Sequence, residues 1–123
     1  MIARPVADAR VREEALDASR SFIVQAPAGA GKTELLVRRY LALLATVPEP
    51  ESILAITFTR KAAAEMRDRV LGALAAVHAP DPARPLHERT LELARAALEA
   101  DRARGWNLLG QPGRLRIQTI DAL

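Results

Sequence analysis

Between Ser21 and Thr33 the chain reads SFIVQAPAGAGKT, and few folds can accommodate such a stretch. Phe22-Ile23-Val24 is a short apolar run rich in β-formers, as expected of a buried parallel strand. Ala26 to Thr33 is small and Gly-rich and ends in Gly31-Lys32-Thr33, and Glu34 to Ala45 follows with helical content and neither Gly nor Pro. Strand, Gly-rich loop and helix in that order form the context of a phosphate-binding loop. In such a loop the backbone N–H groups and the first helical turn converge on one spot, where the helix dipole also favours negative charge. Lys32 adds a cation for the β/γ-phosphates, and the Thr33 hydroxyl is the expected Mg²⁺ ligand. The strict pattern G-x-x-x-x-G-K-[ST] would have glycine first, and this chain has Ala26, the mildest replacement. The alternative is a Gly/Ala-rich turn with a chance Lys-Thr, and it does not account for the flanking strand and helix.

A chain of 123 residues is one domain or part of one. Half of its residues are apolar but only 3% are aromatic, so the expected core is rich in Leu, Ala and Val. With no cysteine, a disulfide framework and thiolate metal sites are excluded, and a reducing compartment fits. The opening MIARPVADAR lacks the apolar segment of a secretory signal. No apolar run approaches the roughly 18 residues that span a bilayer, so a cytoplasmic protein is expected. The net charge of +3 allows a polyanionic partner without demanding one.

In chain order, Ala7–Ala18 reads as a short helix. The helix after the phosphate loop is expected from about Gly31 to Thr46, with Leu35, Leu36, Tyr40, Leu43 and Leu44 as its apolar face and Arg38 and Arg39 in solvent. Val47-Pro48-Glu49-Pro50-Glu51 ends it, since Pro cannot continue a helix. Ile53–Thr57 is a second buried strand. Thr59 is the expected N-cap of a long helix with an inner stripe of Ala62, Met66, Val70 and Leu74. A loop with three prolines runs from His78 to Pro85. A helix over Leu86–Arg102 then packs through Leu91 and Leu98, Trp106 anchors a Gly-rich loop, and Leu115–Thr119 alternates as a third strand. His78 and His87 read as surface residues. This order predicts right-handed crossovers and a parallel sheet covered on both faces. No apolar strand ends in the Asp-Glu pair that holds Mg²⁺ in P-loop enzymes, and Asp121 reads better as a helix-start residue than as a metal ligand.

Taken together, IVQAPAGAGKTELLVRRYLALL, ILAITFTRKAAAEMRDRV and RLRIQTIDAL resemble the UvrD/RecB-like helicases of superfamily 1. Ala26-Pro27-Ala28-Gly29-Ala30-Gly31-Lys32-Thr33 looks like motif I, which commonly begins with Ala in this family. Thr57-Phe58-Thr59-Arg60-Lys61-Ala62-Ala63 with Glu65-Met66 looks like motif Ia, and Gln118–Leu123 like the start of a later T-I-x-x-F-type motif. The resemblance implies a RecA-like P-loop NTPase fold: an α/β domain, with helices on both faces of a parallel sheet, incomplete at its C-terminus before the acidic Mg-binding motif. It implies ATP and Mg²⁺ as cofactors, held by Ala26, Pro27, Ala28, Gly29, Ala30, Gly31, Lys32 and Thr33, with Lys32 and Thr33 catalytic and Thr33 the Mg²⁺ ligand. It implies single-stranded DNA on Thr57, Phe58, Thr59, Arg60 and Lys61, with a base stacked on Phe58 and a phosphate at the Thr59 hydroxyl.

The implied activity is ATP-driven 3′→5′ translocation in DNA repair or recombination. The implied partners are a second motor domain, with its arginine finger, and nuclease subunits. The chain departs from the family where Arg10 or Arg12 stands instead of an adenine-reading Gln, and where Asp121-Ala122-Leu123 replaces His-Ser-Phe. Without the acidic motif and the second motor domain, the isolated 123 residues are expected to show little or no ATPase activity. Two other readings stay open: a non-catalytic stub that binds nucleotide or DNA, and another P-loop enzyme such as a small-molecule kinase. Phe58 read as core, with Arg60 and Lys61 as solvated charges, is the plainer account of motif Ia.

Overall fold

The computed structural model describes residues 21–24 and 32–122. The helix expected at Ala7–Ala18, the loop residues Ala26, Pro27, Ala28, Gly29, Ala30 and Gly31, and the side chain of Lys32 lie outside the described residues. Three parallel strands, β1 (Ser21–Val24), β2 (Ile53–Thr57) and β3 (Arg116–Thr119), form one sheet in the order β1-β2-β3. Three helices connect them: α1 (Lys32–Leu44), α2 (Arg60–Ala76) and α3 (Glu88–Arg104). Phe22 pairs with Leu54 and Val24 with Ile56 on one side of β2; Ala55 pairs with Ile117 and Thr57 with Thr119 on the other. Parallel strands cannot be joined by tight turns, so each connection crosses the sheet through helix. All three strands therefore leave the sheet at the same end.

β2 is apolar from Ile53 to Ile56 because it is the middle strand and is buried on both faces. Strand alternation turns Ile53 and Ala55 toward the helices, where they join Ile23 and Ile117 in the core cluster. Leu54 and Ile56 alternate to the opposite face and are buried as well. At about 2 kcal/mol for each large side chain, this strand is the main hydrophobic anchor of the sheet.

Each helix buries one face at helical spacing, but not always the face the Leu pattern suggests. On α1 the buried residues are Val37, Tyr40, Leu41 and Leu44, with Leu36 and Leu43 flanking them, while Leu35 is 61% exposed. So many apolar residues on one helix make several faces plausible, and packing against α3 selects the one through Val37 and Leu41. The inner stripe of α2 runs through Ala63, Met66, Val70, Ala73 and Leu74, so Ala63 rather than Ala62 takes the first buried place. The small Ala63 and Ala73 permit close approach. α3 begins at Glu88, later than expected, because Nδ1 of His87 accepts the Arg89 N–H at 3.0 Å and caps it. Its buried face is small and partly polar: Thr90, Ala94, Ala97, Leu98, Ala100 and Asp101.

α3 stops at Gly105, which takes the left-handed conformation at φ 69°, with its N–H on the Asp101 carbonyl. The Asp101 carboxylate accepts the N–H groups of Asn107 at 2.6 Å and Leu108 at 3.2 Å, which holds the turn that buries Trp106 and Leu108. Before β3, Arg114 donates two hydrogen bonds to Glu51, at 2.8 and 3.0 Å, joining the turns that feed β2 and β3. Arg67 of α2 donates to the Ile117 carbonyl at 2.8 Å.

Two polar groups in this frame make stability testable. The Tyr40 hydroxyl is fully buried, with no hydrogen-bond partner among the described residues. Burial raises its pKa, and the Arg116 backbone beside it offsets only part of that effect. Tyr40→Phe removes an unsatisfied group and is expected to raise stability by about 1 kcal/mol in urea unfolding; a loss of similar size would show the hydroxyl to be bonded. The Glu51 carboxyl is held below its ordinary 4.5, first by the Arg114 hydrogen bond. A depressed folded pKa means that its stabilisation is present above the ordinary value and lost as pH falls through the folded one. Glu51→Gln should therefore narrow the drop in Tm between about pH 6 and about pH 3; an unchanged drop would place the acid sensitivity elsewhere.

Candidate nucleotide and nucleic-acid site

The carboxyl ends of the three strands define one rim, where ligands of open α/β sheets bind. Three segments reach it: the start of α1 after β1, the β2 exit Phe58-Thr59-Arg60, and the β3 exit Ile120–Ala122, a 3-10 turn. At the first of these, Thr33 is in the opening turn of α1 and almost fully buried. Lys32 begins the same helix. A Lys-Thr pair opening the helix that follows β1 is a donor set that fits a Mg²⁺-bound polyphosphate: one cation, one hydroxyl oxygen and the positive end of a helix dipole. The Mg²⁺ would fall to Thr33, and no group of three or more acidic, His or Cys side chains that could hold a metal occurs among the described residues.

At the second segment the chain changes character within three residues. Thr57 is completely buried, whereas Phe58 is 40% exposed and Thr59, Arg60 and Lys61 are exposed. Alternation along β2 brings Thr57 to the side of Ile53 and Ala55, so its hydroxyl turns inward. There it lies 3.2 Å from the Thr59 carbonyl and 3.2 Å from the Gln118 carbonyl. One hydroxyl proton shared by two acceptors ties the β2 exit to the β3 exit, so Thr57 acts on this rim by alignment rather than by surface contact. The sequence does carry a signal for this: a β-branched hydroxyl residue as the last member of a buried strand, next to a strand that also ends in Thr.

Thr59 is the N-cap of α2, its hydroxyl oxygen accepting the Ala62 N–H at 3.0 Å. Capping uses an oxygen lone pair and leaves the hydroxyl proton free to donate, so the cap does not compete with a phosphate contact. Phe58 is held between the buried Thr57 and this cap, with its ring at the surface. A large aromatic left 40% exposed at a strand exit gives up part of its burial free energy, about 1 kcal/mol. Arg60 and Lys61 occupy the first turn of α2, where there is no acidic residue. Two cations at the positive end of a helix cost about 0.3–1 kcal/mol each, and a bound anion reverses that penalty. Asp121 is exposed in the β3 exit turn. His78 and His87 are exposed, and Trp106 is packed into the core under Arg104, whose guanidinium carbon is 5.8 Å from the ring centre.

Sequence reasoning missed one further cluster next to the rim. Glu34, the residue after Thr33, meets Arg69 of α2 at 3.3 Å and accepts the Thr90 hydroxyl of α3 at 2.8 Å. Arg38, expected in solvent, is half-buried and donates to Thr90 at 3.0 Å.

The family model for the UvrD/REP helicase N-terminal domain matches residues 8–121. A subunit of an ATP-dependent helicase/nuclease from Moorella thermoacetica is 44% identical over 80 residues, covering 63% of this chain and 6% of that protein. DNA helicase II of Escherichia coli is 53% identical over 62 residues, 48% of this chain and 8% of the relative. The corresponding helicase/nuclease protein from Clostridium perfringens is 35% identical over 80 residues, which is 63% of this chain and again 6% of the relative. The chain thus spans under a tenth of these relatives. No solved structure matches. Among the described residues, no helix is long and apolar enough to cross a membrane.

The rim geometry separates two neighbouring residues in a way that mutation can read. Thr59→Ala is expected to cost about 1 kcal/mol of stability through the lost cap, and Thr59→Ser to restore it. Phe58→Ala, at an exposed site, should change stability by no more than about 0.5 kcal/mol. Thermal or urea unfolding of the two variants checks both; a large loss on Phe58→Ala would make the ring a core residue.

Proposed function

The chain belongs to the UvrD/REP helicase N-terminal domain family, and on that basis we propose that it forms the nucleotide-holding part of an ATP-dependent DNA motor. The observation that carries this reading is the shared rim, where the Lys32-Thr33 helix start and the exposed Phe58-Thr59-Arg60-Lys61 corner stand at one end of a parallel sheet. A phosphate loop alone suits many enzymes. An exposed aromatic, a free hydroxyl proton and two cations with no acid in their helical turn suit a nucleic-acid strand, with the ring stacking on a base and the polar groups meeting phosphates.

In this reading Lys32 would neutralise the β/γ-phosphates, and the Thr33 hydroxyl would hold Mg²⁺. Likeness to motif I assigns backbone N–H donors within residues 26–31, which lie outside the described residues. Bound Mg·ATP supplies the phosphoanhydride whose cleavage drives the cycle. The chain's own residues bind and orient: Phe58 stacks, Thr59 donates to a phosphate, Arg60 and Lys61 supply charge, and Thr57 holds the two exits in register. The water-orienting acid and the arginine of a second motor domain come from outside these residues. Single-stranded DNA is the proposed track, with 3′→5′ movement and a role in repair or recombination. The relatives whose names join helicase and nuclease support a nuclease as partner or further domain.

The test is DNA-stimulated ATP hydrolysis by the natural gene product that carries this chain. Hydrolysis is expected to rise on adding single-stranded oligothymidylate and to be abolished by Lys32→Ala. Phe58→Ala should weaken DNA affinity by roughly tenfold, the loss of one stacked base. The polarity claim requires strand displacement from a 3′-tailed substrate and none from a 5′-tailed one. Phosphate transfer to a small molecule, indifferent to DNA, would instead establish the kinase reading. The isolated 123 residues should hydrolyse ATP at background rate; a rate clearly above it that Lys32→Ala removes would overturn that expectation.

A further inference from the structure

Glu34 is an awkward residue for its position. It directly follows the Thr33 that would ligate Mg²⁺, in a stretch whose pattern is built to attract anions. A carboxylate suits the helix dipole in the first turn of α1, but any short polar residue could cap or soften that turn. The surroundings of Glu34 are more specific than the dipole requires. Oε1 is 3.3 Å from Nη1 of Arg69, which comes from the third turn of α2. Oε2 accepts the hydroxyl of Thr90, in the first turn of α3, at 2.8 Å. The Thr90 oxygen accepts Nε–H of Arg38 at 3.0 Å, one turn further along α1. Arg69 is also paired with Glu65 on its own helix at 3.5 Å.

Magnitudes decide what this cluster is. The Arg69–Glu34 pair is more than a third exposed on both sides, and such a pair by itself contributes little to stability. Thr90 differs, since it is 1% exposed and its hydroxyl is fully used, donating to a carboxylate and accepting from a guanidinium. Charge-assisted bonds at a buried hydroxyl are the strong kind, and removing one member leaves the others unsatisfied. The cluster therefore joins three helices at one point, immediately beside the helix start that carries Lys32 and Thr33. The helix that supplies Arg69 is also the one that Thr59 caps and whose first turn carries Arg60 and Lys61.

We propose that Glu34 is a positioning residue that ties the phosphate-loop helix to the helix of the Phe58–Lys61 corner through Arg69, with Thr90 of α3 holding the Glu34 carboxylate in place for that contact, so that the nucleotide and nucleic-acid ends of the rim move as one body. This rests on the function proposed above. Its consequence is thermodynamic: nucleotide affinity depends on whether DNA is bound, by the same factor as the reverse, and Glu34 carries part of that factor. No side chain of the cluster need touch either ligand.

The experiment measures the affinity of the natural gene product for a fluorescent ADP analogue, without and with saturating oligothymidylate. The ratio of the two dissociation constants is the coupling. Glu34→Gln keeps an acceptor for Thr90 but discharges the link to Arg69. Thr90→Val keeps the shape and removes the hydroxyl, and Thr90→Ser restores it. Glu92→Gln, which disturbs only the exposed pair with Arg89, is the control. The ratio is expected to depart from one in the natural protein. It should move toward one by about threefold or more in Glu34→Gln and Thr90→Val, a coupling change of ordinary size for neighbouring groups. Nucleotide affinity without DNA should stay within about twofold, because both residues contact side chains of neighbouring helices. Thr90→Ser and Glu92→Gln should keep the natural ratio.

An unchanged ratio in both Glu34→Gln and Thr90→Val overturns the proposal. So does a DNA-free affinity that falls together with Tm, which would make the cluster a fold device only. A natural protein that binds both ligands with a ratio of one refutes the lock and leaves the proposed function standing. Failure to bind either ligand removes both.

Discussion

The burial of β2 is the constraint on which the rest of the structure depends. Its four apolar residues are covered on both faces, and both neighbouring strands pair with it in parallel register. Parallel pairing forces helical crossovers and brings every strand exit to the same end. A site assembled from three loops distant in sequence therefore needs no special device to bring them together. The same burial forces a sharp boundary at Thr57. The last residue of the strand has to satisfy its hydroxyl inside the protein, and the next residue, Phe58, is already at the surface. The position of the exposed ring follows from where the buried strand stops.

Threonine hydroxyls then do most of the polar organisation near the rim. Thr57 shares its proton between the Thr59 and Gln118 carbonyls, Thr59 accepts the Ala62 N–H, and Thr90 relays between Arg38 and Glu34. A hydroxyl both donates and accepts, so one side chain can serve a carboxylate and a guanidinium together, which neither a second carboxylate nor an ammonium can do. Aliphatic packing fixes the distances between elements, and these bonds fix their relative rotation. The opposite end of the sheet is held differently, by the Arg114–Glu51 fork and the Asp101 turn. There the charges are compensated. At the first turn of α2 the cations have no acidic neighbour in the turn.

Much of this is legible from the chain alone, for identifiable reasons. β2 is readable to its ends because a run of β-formers bounded by Pro and a capping Thr has only one good assignment. The cap at Thr59 and the α2 helix after it are readable for the same local reasons, and Trp106 as a packing anchor follows from its Gly-rich surroundings. The apolar face of α1 is not. Leu35, Leu36, Val37, Leu41, Leu43 and Leu44 offer overlapping stripes, and only contact with α3 and the sheet distinguishes the stripe through Val37 from the one through Leu35. The start of α3 escapes sequence reasoning as well, because a histidine is an uncommon cap.

What the sequence by itself determined is whatever depends on neighbours within a few residues: strand and helix identity, the phosphate-loop pattern, the cap, and the family to which these motifs point. What only the tertiary structure decided is whatever depends on residues far apart in the chain. Thr57 faces Gln118, Glu34 is met by Arg69 and Thr90, and Arg67 reaches the Ile117 carbonyl. The physical reason is range. Hydrogen bonds and packing act over a few ångströms, and periodicity in the sequence says which side of an element is apolar but not which partner will stand opposite it. The partner is chosen by the way three helices settle on a common sheet. That choice brings Glu34 and Arg38 of α1 onto Thr90 of α3, and Glu34 onto Arg69 of α2.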